Sequence, residues 1–507
     1  MSEHERTRDE SPWLATTDGP RFSPLEGEYD ADVAVIGAGI AGIATATHLK
    51  ERGRTVAVIE RDRVAAAVTG HTTAKVTSQH GLKYDHLIET VGEERARQYA
   101  DANQAALEEI AERSEGLDAE FERQSAYVYA DDASDREQIH DEVQAAKRLG
   151  LPAEFAEDGD LDLPFETGGA VRFADQGQFH PRKYVLGLAE TIPGEGSEIF
   201  EETRATDLDP GDPCRIRTDR GTVTAESVVV ATHFPVFDRG GYFARMKTKR
   251  SHVVAVRVAG DPPEGMYYNT GEPYRSIRHH RFDGEPLVLI GGENHETGQG
   301  GSTKERYDRL ESFAREQFDV EEVAYRWSTQ DYSPFDSVPY VGRLGPVREN
   351  LYVATGFGGW GMTGGVAAGR ILEGLICDGQ HPNSEVFSPA RVNAESAKSL
   401  VTHNAEVGAH FTADWAKSLL SGTEATLSPG EGTVVKTDDG PVGVSRNESG
   451  EINAVSAICP HMKCVVRWND GEESWDCPCH GSRFTPEGRV LDGPAIEDLP
   501  RRGAREK

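Results

Sequence analysis

Cysteine is scarce in this chain: there are six in 507 residues, and four of them crowd between positions 459 and 479. Only Cys214 and Cys377 remain outside that stretch, too few for the disulfide framework of a secreted scaffold. No run of about eighteen apolar residues is present, so no membrane-spanning helix is expected. Positive charge is short as well. Lys+Arg 54 against Asp+Glu 86 gives a formal net charge of −32, a field that disfavours nucleic acid and anionic membranes as partners. Arginine outnumbers lysine about threefold. The charge reads as adaptation to high salt, where dense carboxylates keep a protein hydrated, rather than as an acidic binding surface. The opening MSEHERTRDESPW has no apolar core and is not expected to act as a signal peptide. These absences point to a cytoplasmic protein, and the length suggests two or three domains.

What the chain does have is most specific near its end. Cys459-Pro-His461-Met-Lys-Cys464 is followed by Cys477-Pro-Cys479-His480-Gly-Ser482. Read as ligand spacing, this is C-x-H, fifteen residues, then C-x-x-H. Two thiolates and two imidazoles can hold a [2Fe–2S] cluster in which two histidines replace two cysteines on one iron. A Cys2His2 zinc site and a disulfide scaffold are the alternatives, although zinc fingers usually pair Cys with Cys and His with His.

With a Pro after each first ligand and Gly-Ser after the last, the segment resembles the Rieske iron–sulfur family, in the branch whose two cluster loops are tied by a disulfide. The resemblance implies that Cys459, His461, Cys477 and His480 are ligands and that Cys464 and Cys479 form the tie. Such a disulfide is unusual in a reducing compartment, and burial beside the cluster would protect it. Where the family often has Tyr two residues after this Ser, the chain has Phe484. Losing that hydroxyl is expected to lower the potential, since hydrogen bonds near the cluster help to set it.

Earlier in the chain, the apolar run Asp32-Val-Ala-Val-Ile36 leads into Gly37-Ala-Gly39-Ile-Ala-Gly42 and a helical pattern to Arg52. A second strand, Thr55–Ile59, is closed by Glu60. A GxGxxG between strand and helix, with an acidic residue ending the next strand, is the dinucleotide-binding context. The glycines let backbone N–H groups approach a pyrophosphate, and Glu60 would accept from the adenosine ribose. The following loop, Val68-Thr-Gly-His71-Thr72-Thr73-Ala74-Lys75, selects FAD over NAD. It resembles the flavin-wrapping loop of the D-amino-acid-oxidase-like FAD family, so Thr72, Thr73 and Ala74 are expected at the cofactor. His71 falls near the place where some members attach flavin covalently; a free imidazole is expected here.

Gly356-Phe-Gly358-Gly-Trp-Gly361-Met362-Thr363 is a second GxGxxG. Its helix runs into Asp378-Gly-Gln-His-Pro382 with no second strand, so no nicotinamide site is expected. The resemblance instead puts this helix N-terminus at the flavin N1–C2=O edge, where a helix dipole stabilises negative charge. Residues 85–150 read as solvated helices capping the FAD domain. Short strands between 240 and 340, including Val253–Val258 and Pro286–Ile290, suggest an antiparallel substrate sheet, with a turn at Gly291–His295. His233 reads as a structural strand-end histidine, and Lys247, Lys249 and Arg250 as a solvated basic edge.

The expected organisation is a polar solvated arm (1–30), an α/β glutathione-reductase-type, Rossmann-like FAD domain with an interleaved antiparallel substrate sheet (31–385), a linker (386–424) with an amphipathic piece at His410–Leu420, and a small all-β Rieske domain (425–500). The combination implies an FAD-dependent oxidoreductase that oxidises a small amine or amino acid. Its electrons would pass to the [2Fe–2S] cluster and on to an unidentified acceptor. A flavin/Rieske reductase component with reversed flow, and a redox sensor, are the competing readings. No residue declares itself a catalytic base.

Overall fold

The computed structural model describes residues 7–345, 350–391 and 427–502. Strand Gly27–Ile36 lies between Val56–Ile59 and Gly221–Val230, both parallel to it. The sheet continues through Leu351–Thr355 and Tyr340–Arg343 on one side and Glu198–Phe200 on the other. Parallel strands covered on both faces carry unbroken apolar runs; Val33 to Ile36 and Val56 to Ile59 are buried throughout. Helices Ile40–Glu51 and Gly361–Cys377 pack against each other. A Cβ on Gly365 would stand 2.9 Å from Ile40 Cγ2, and one on Gly369 3.0 Å from the Ala44 carbonyl carbon. Glycine is what lets these two backbones approach so closely.

The second sheet runs Val320–Pro334, Met246–Val258, Glu285–His295, Arg275–Phe282, Met266–Asn269, Glu122–Tyr129, Ala170–Gln178, Lys75–Val76. Its first five strands come from the 240–340 region, as expected. The other three come from earlier in the chain. Glu122–Tyr129 interrupts the stretch expected to be helical; only its last four residues are buried, so it shows no period-2 alternation to read. It also pairs in parallel with Met266–Asn269, so the sheet is mixed rather than wholly antiparallel. Gly291 to His295 continue the strand instead of turning.

The arm expected to be solvated is not so over residues 11–25. Trp13 is 0 % exposed, packed against His180, His280 and Phe282, and Leu25 is buried. An indole buries more apolar area than any other side chain, which outweighs the polar residues around it. Strand pairing in turn begins at Gly27. At the other boundary, Phe387 is buried and Arg391 pairs with Asp336 at 2.8 Å. Residues 392–426, with the amphipathic piece at 410–420, lie outside the described residues.

The C-terminal unit comprises a meander, Gly432–Thr437, Gly440–Arg446 and Ile452–Ser456, and a four-stranded sheet, Arg467–Asn469, Ser474–Asp476, Arg483–Phe484 and Val490–Asp492. Val455, Val466, Trp475, Phe484 and Leu499 form its core around Cys459, Cys464, Cys477 and Cys479. Among the described residues, no helix is long and apolar enough to cross a membrane.

Candidate functional site

A cavity of about 450 Å³ opens at the C-terminal ends of the parallel strands and runs between the two large sheets. At one end, Gly37 has a φ of +104°, and a Cβ there would meet the Ala231 carbonyl oxygen at 2.5 Å. Gly42 packs its helix on the first turn: a Cβ would sit 1.9 Å from the Gly37 oxygen. Glu60 accepts from the Ala38 N–H at 2.8 Å and the Asp62 N–H at 2.9 Å. Burial raises its pKa while these two backbone donors oppose the rise. Each carboxylate oxygen keeps a lone pair for a further donor.

Of the residues singled out from the sequence, Gly37, Gly39, Glu60, Thr72, Thr73, Gly358, Gly361 and Met362 line this one cavity. Gly42, Ala74, Gly356 and Thr363 stand behind its wall. Ala74 (φ +57°) is buried, and its N–H donates to Thr72 Oγ1 at 3.0 Å. Thr363 donates to the Thr77 carbonyl at 2.9 Å. His71 lines the cavity and donates through Nδ1 to the Ala67 carbonyl at 2.8 Å. His233 also lines it, with Nε2 donating to the Gln330 carbonyl at 2.8 Å.

The opposite end holds residues to which the sequence reading gave no role. Lys75 leaves the loop, is buried, and donates to Ser276 Oγ. Burial, assisted by the Arg278 guanidinium, lowers its pKa to about 7. Tyr274, Ser276, Gly291 and Trp360 complete that end. Lys249 and Arg250 face the cavity too, so this basic pair is not a solvated edge. The only sequence signal for Lys75 was its place in a small-residue loop; its neighbours arrive from strands two hundred residues away.

The helix Gly361–Cys377 presents its N-terminus to the cavity and ends in a turn at Asp378, leading to the short helix Ser384–Phe387 rather than to a strand. The second glycine motif therefore belongs to the first cavity.

In the C-terminal unit, the rings of His461 and His480 lie 5.1 Å apart at 86°. The thiols of Cys459 and Cys477 are buried within hydrogen-bonding reach of each other. Cys464 and Cys479 form a disulfide between the two loops. The sulfurs of Cys464, Cys477 and Cys479 fall within 4.8 Å of one another, but two of them are committed to that bond. Phe243, from the large unit, packs edge-on to both histidines at 5.4 and 5.3 Å. Gln299 Nε2 donates to the Pro478 carbonyl at 3.2 Å and Gln330 Nε2 to the Gly481 carbonyl at 2.9 Å. The second cluster loop is thus docked on the large sheet.

Residues 32–375 match the family model of FAD dependent oxidoreductases, and residues 418–501 match that of the Rieske [2Fe-2S] domain. The chain belongs to the FAD-dependent oxidoreductase family and carries a Rieske domain. Its cofactors are FAD and a [2Fe–2S] cluster. The Bacillus subtilis (strain 168) protein YhfW, named for a Rieske 2Fe-2S centre, is 37 % identical over 97 % of this chain and 97 % of its own. The gamma-glutamylputrescine oxidoreductase of Escherichia coli (strain K12) is 24 % identical, covering 70 % of this chain and 85 % of its own. The glycine oxidase of Geobacillus kaustophilus shares the fold, with a TM-score of 0.59 at 20 % identity over 72 % of this chain and 99 % of that one. Both cofactors fit the residues present. Gly37 and Gly39 present bare backbone to the cavity, Glu60 keeps acceptor capacity, and the thiol–imidazole donor set is the one a Rieske centre uses.

Proposed function

We propose that this FAD-dependent oxidoreductase oxidises a small amine or amino acid and releases the electrons singly, through its Rieske centre, to a separate one-electron acceptor. The observation that carries this reading is the thinness of the wall between the two sites: Gln330 lines the FAD cavity and bonds the residue after His480. The names of the Escherichia coli and Geobacillus relatives, which refer to an amine and an amino acid, support the substrate class.

Bound FAD supplies acceptance of a hydride from the carbon bearing nitrogen, and the [2Fe–2S] centre supplies one-electron transfer. The residues prepare the substrate. Neutral Lys75 takes one proton from the substrate ammonium, leaving an amine whose lone pair drives loss of the hydride, so that an iminium product leaves. Tyr274 and Trp360 supply apolar walls that exclude water beside that amine. Cys459, His461, Cys477 and His480 hold the cluster; a His461→Ala or Cys477→Ser protein that kept the Rieske EPR signal would overturn that assignment.

Adding a panel of amines and amino acids to the anaerobic protein tests the substrate class. Bleaching of the flavin by one of them, with NADH inert, is expected. Bleaching by NADH alone would reverse the direction of flow and refute the proposal.

A further inference from the structure

Among the described residues, four large apolar side chains are exposed: Ile452, Met462, Leu491 and Ile496. Two of these, Leu491 at 41 % and Ile496 at 39 %, line the FAD cavity although they belong to the Rieske domain. They stand at its Glu60 end, beside Arg61, Thr203 and Arg204. Their backbones are fixed there. Arg61 Nη2 donates to the Leu491 carbonyl at 3.0 Å, and Arg204 donates to the Ile496 carbonyl. Between them, Gly493 accepts from Tyr332 at 2.7 Å. Two aliphatic side chains are therefore held open to a cavity whose adjacent carboxylate still has acceptor capacity.

We infer that the Rieske domain forms part of the FAD site, with Leu491 and Ile496 covering the adenosine half of the cofactor. Adenine is flat and apolar on its faces, so aliphatic side chains gain contact from it that water does not offer. Polar recognition comes from Glu60 in one domain and apolar cover from the other. The inference rests on the reading of Glu60 as the ribose acceptor. It has a thermodynamic consequence: FAD binding and docking of the Rieske domain strengthen each other by the same factor. Loss of FAD would thus weaken docking of the Rieske domain by that factor, leaving the Gln330–Gly481 and Glu472–Arg250 contacts to hold what remains.

The test uses full-length protein freed of flavin, titrated with FAD and, separately, with FMN, which lacks the adenosine. Flavin fluorescence reports binding, and the visible circular dichroism of the cluster reports the integrity of the Rieske domain. Leu491→Asp and Ile496→Asp are each expected to weaken FAD binding at least tenfold and to leave FMN binding and the cluster spectrum unchanged. The milder Ile496→Ser should give a smaller loss of the same kind. Glu60→Gln is expected to weaken FAD relative to FMN as well. If Glu60→Gln does so while Leu491 and Ile496 variants bind FAD normally, the adenosine end is where we place it and the apolar cover is refuted. If Glu60→Gln also leaves FAD binding intact, the placement itself is wrong and both fall. Equal losses for FAD and FMN in the Leu491 and Ile496 variants would also overturn the inference, because nothing specific to adenosine would have been removed.

Discussion

Gln330 Nε2 donates to the carbonyl of Gly481 at 2.9 Å, joining the wall of the FAD cavity to the residue that follows His480. The same amide donates to Tyr332 Oη at 2.8 Å and accepts from Thr297 at 2.7 Å, so the Gly481 carbonyl and the Thr297 hydroxyl depend on one buried side chain, while Tyr332 also donates to Gly493. Replacing it with an apolar residue of similar size strands buried polar groups, at a cost of about 1–3 kcal/mol for a group left without a partner. Gln330→Leu should lower the thermal midpoint and slow the passage of electrons from flavin to cluster. Stopped-flow absorbance should show flavin bleaching by substrate unchanged and cluster reduction delayed.

Lys75 should set a pH dependence. Burial lowers its pKa from the ordinary lysine value of 10.5 to about 7, so the neutral amine becomes available as pH rises through about 7. The rate of flavin reduction should climb through that point, and Lys75→Met should abolish the limb. For stability the sign is equally definite. The unfolded chain binds the proton more tightly than the folded one, so the destabilisation is complete below about 7 and is relieved as pH climbs towards 10.5. Lys75→Met should therefore raise the thermal midpoint most at low pH and have no effect once the unfolded lysine is also neutral.

Glu472, on the Rieske domain, bridges Arg250 of the large sheet and Arg483 of its own domain. Burial raises its pKa, but the two guanidinium groups hold it well below the ordinary carboxylate range. Glu472→Gln leaves buried Arg250 without its carboxylate partner, while Arg483 keeps Asp476 at 3.0 Å; breaking such a buried pair costs about 3–5 kcal/mol. The variant should expose the interface to limited proteolysis. In the wild type this contribution is present above the unfolded carboxylate pKa and is lost as pH falls through the depressed folded one, so docking should persist into mild acid.

Trp13 ties the segment before the first strand to the 68–75 loop, donating from Nε1 to the Thr72 carbonyl at 2.7 Å. Trp13→Ala removes a fully buried indole, a change of about 3–5 kcal/mol. The expected result is a large fall in thermal midpoint together with weaker FAD binding; Trp13→Phe should restore most of the packing but not the hydrogen bond.

Short-range spacing made the two cofactor motifs legible. Gly37 to Glu60 is one strand–helix–strand unit, and the four candidate cluster ligands sit in two loops whose neighbours in sequence are also neighbours in space. The absence of a βαβ half after Gly361 was readable for the same reason. The proposed substrate end was not, because Lys75, Ser276 and Gly291 meet only through a sheet whose strands come from four separated parts of the chain. Trp13 was missed because a single buried indole leaves no periodicity. Leu491 and Ile496 look like ordinary surface apolar residues in sequence; what gives them meaning is the cavity they face from another domain.

The proposed path carries substrate electrons from flavin to cluster within one chain. Its most direct measurement is to mix the anaerobic protein with the amine or amino acid that bleaches the flavin and to freeze the same samples for EPR. A reduced Rieske signal growing in as the flavin bleaches, and lagging in Gln330→Leu, is the expected result. A cluster that stays oxidised while the flavin is fully reduced would contradict the account.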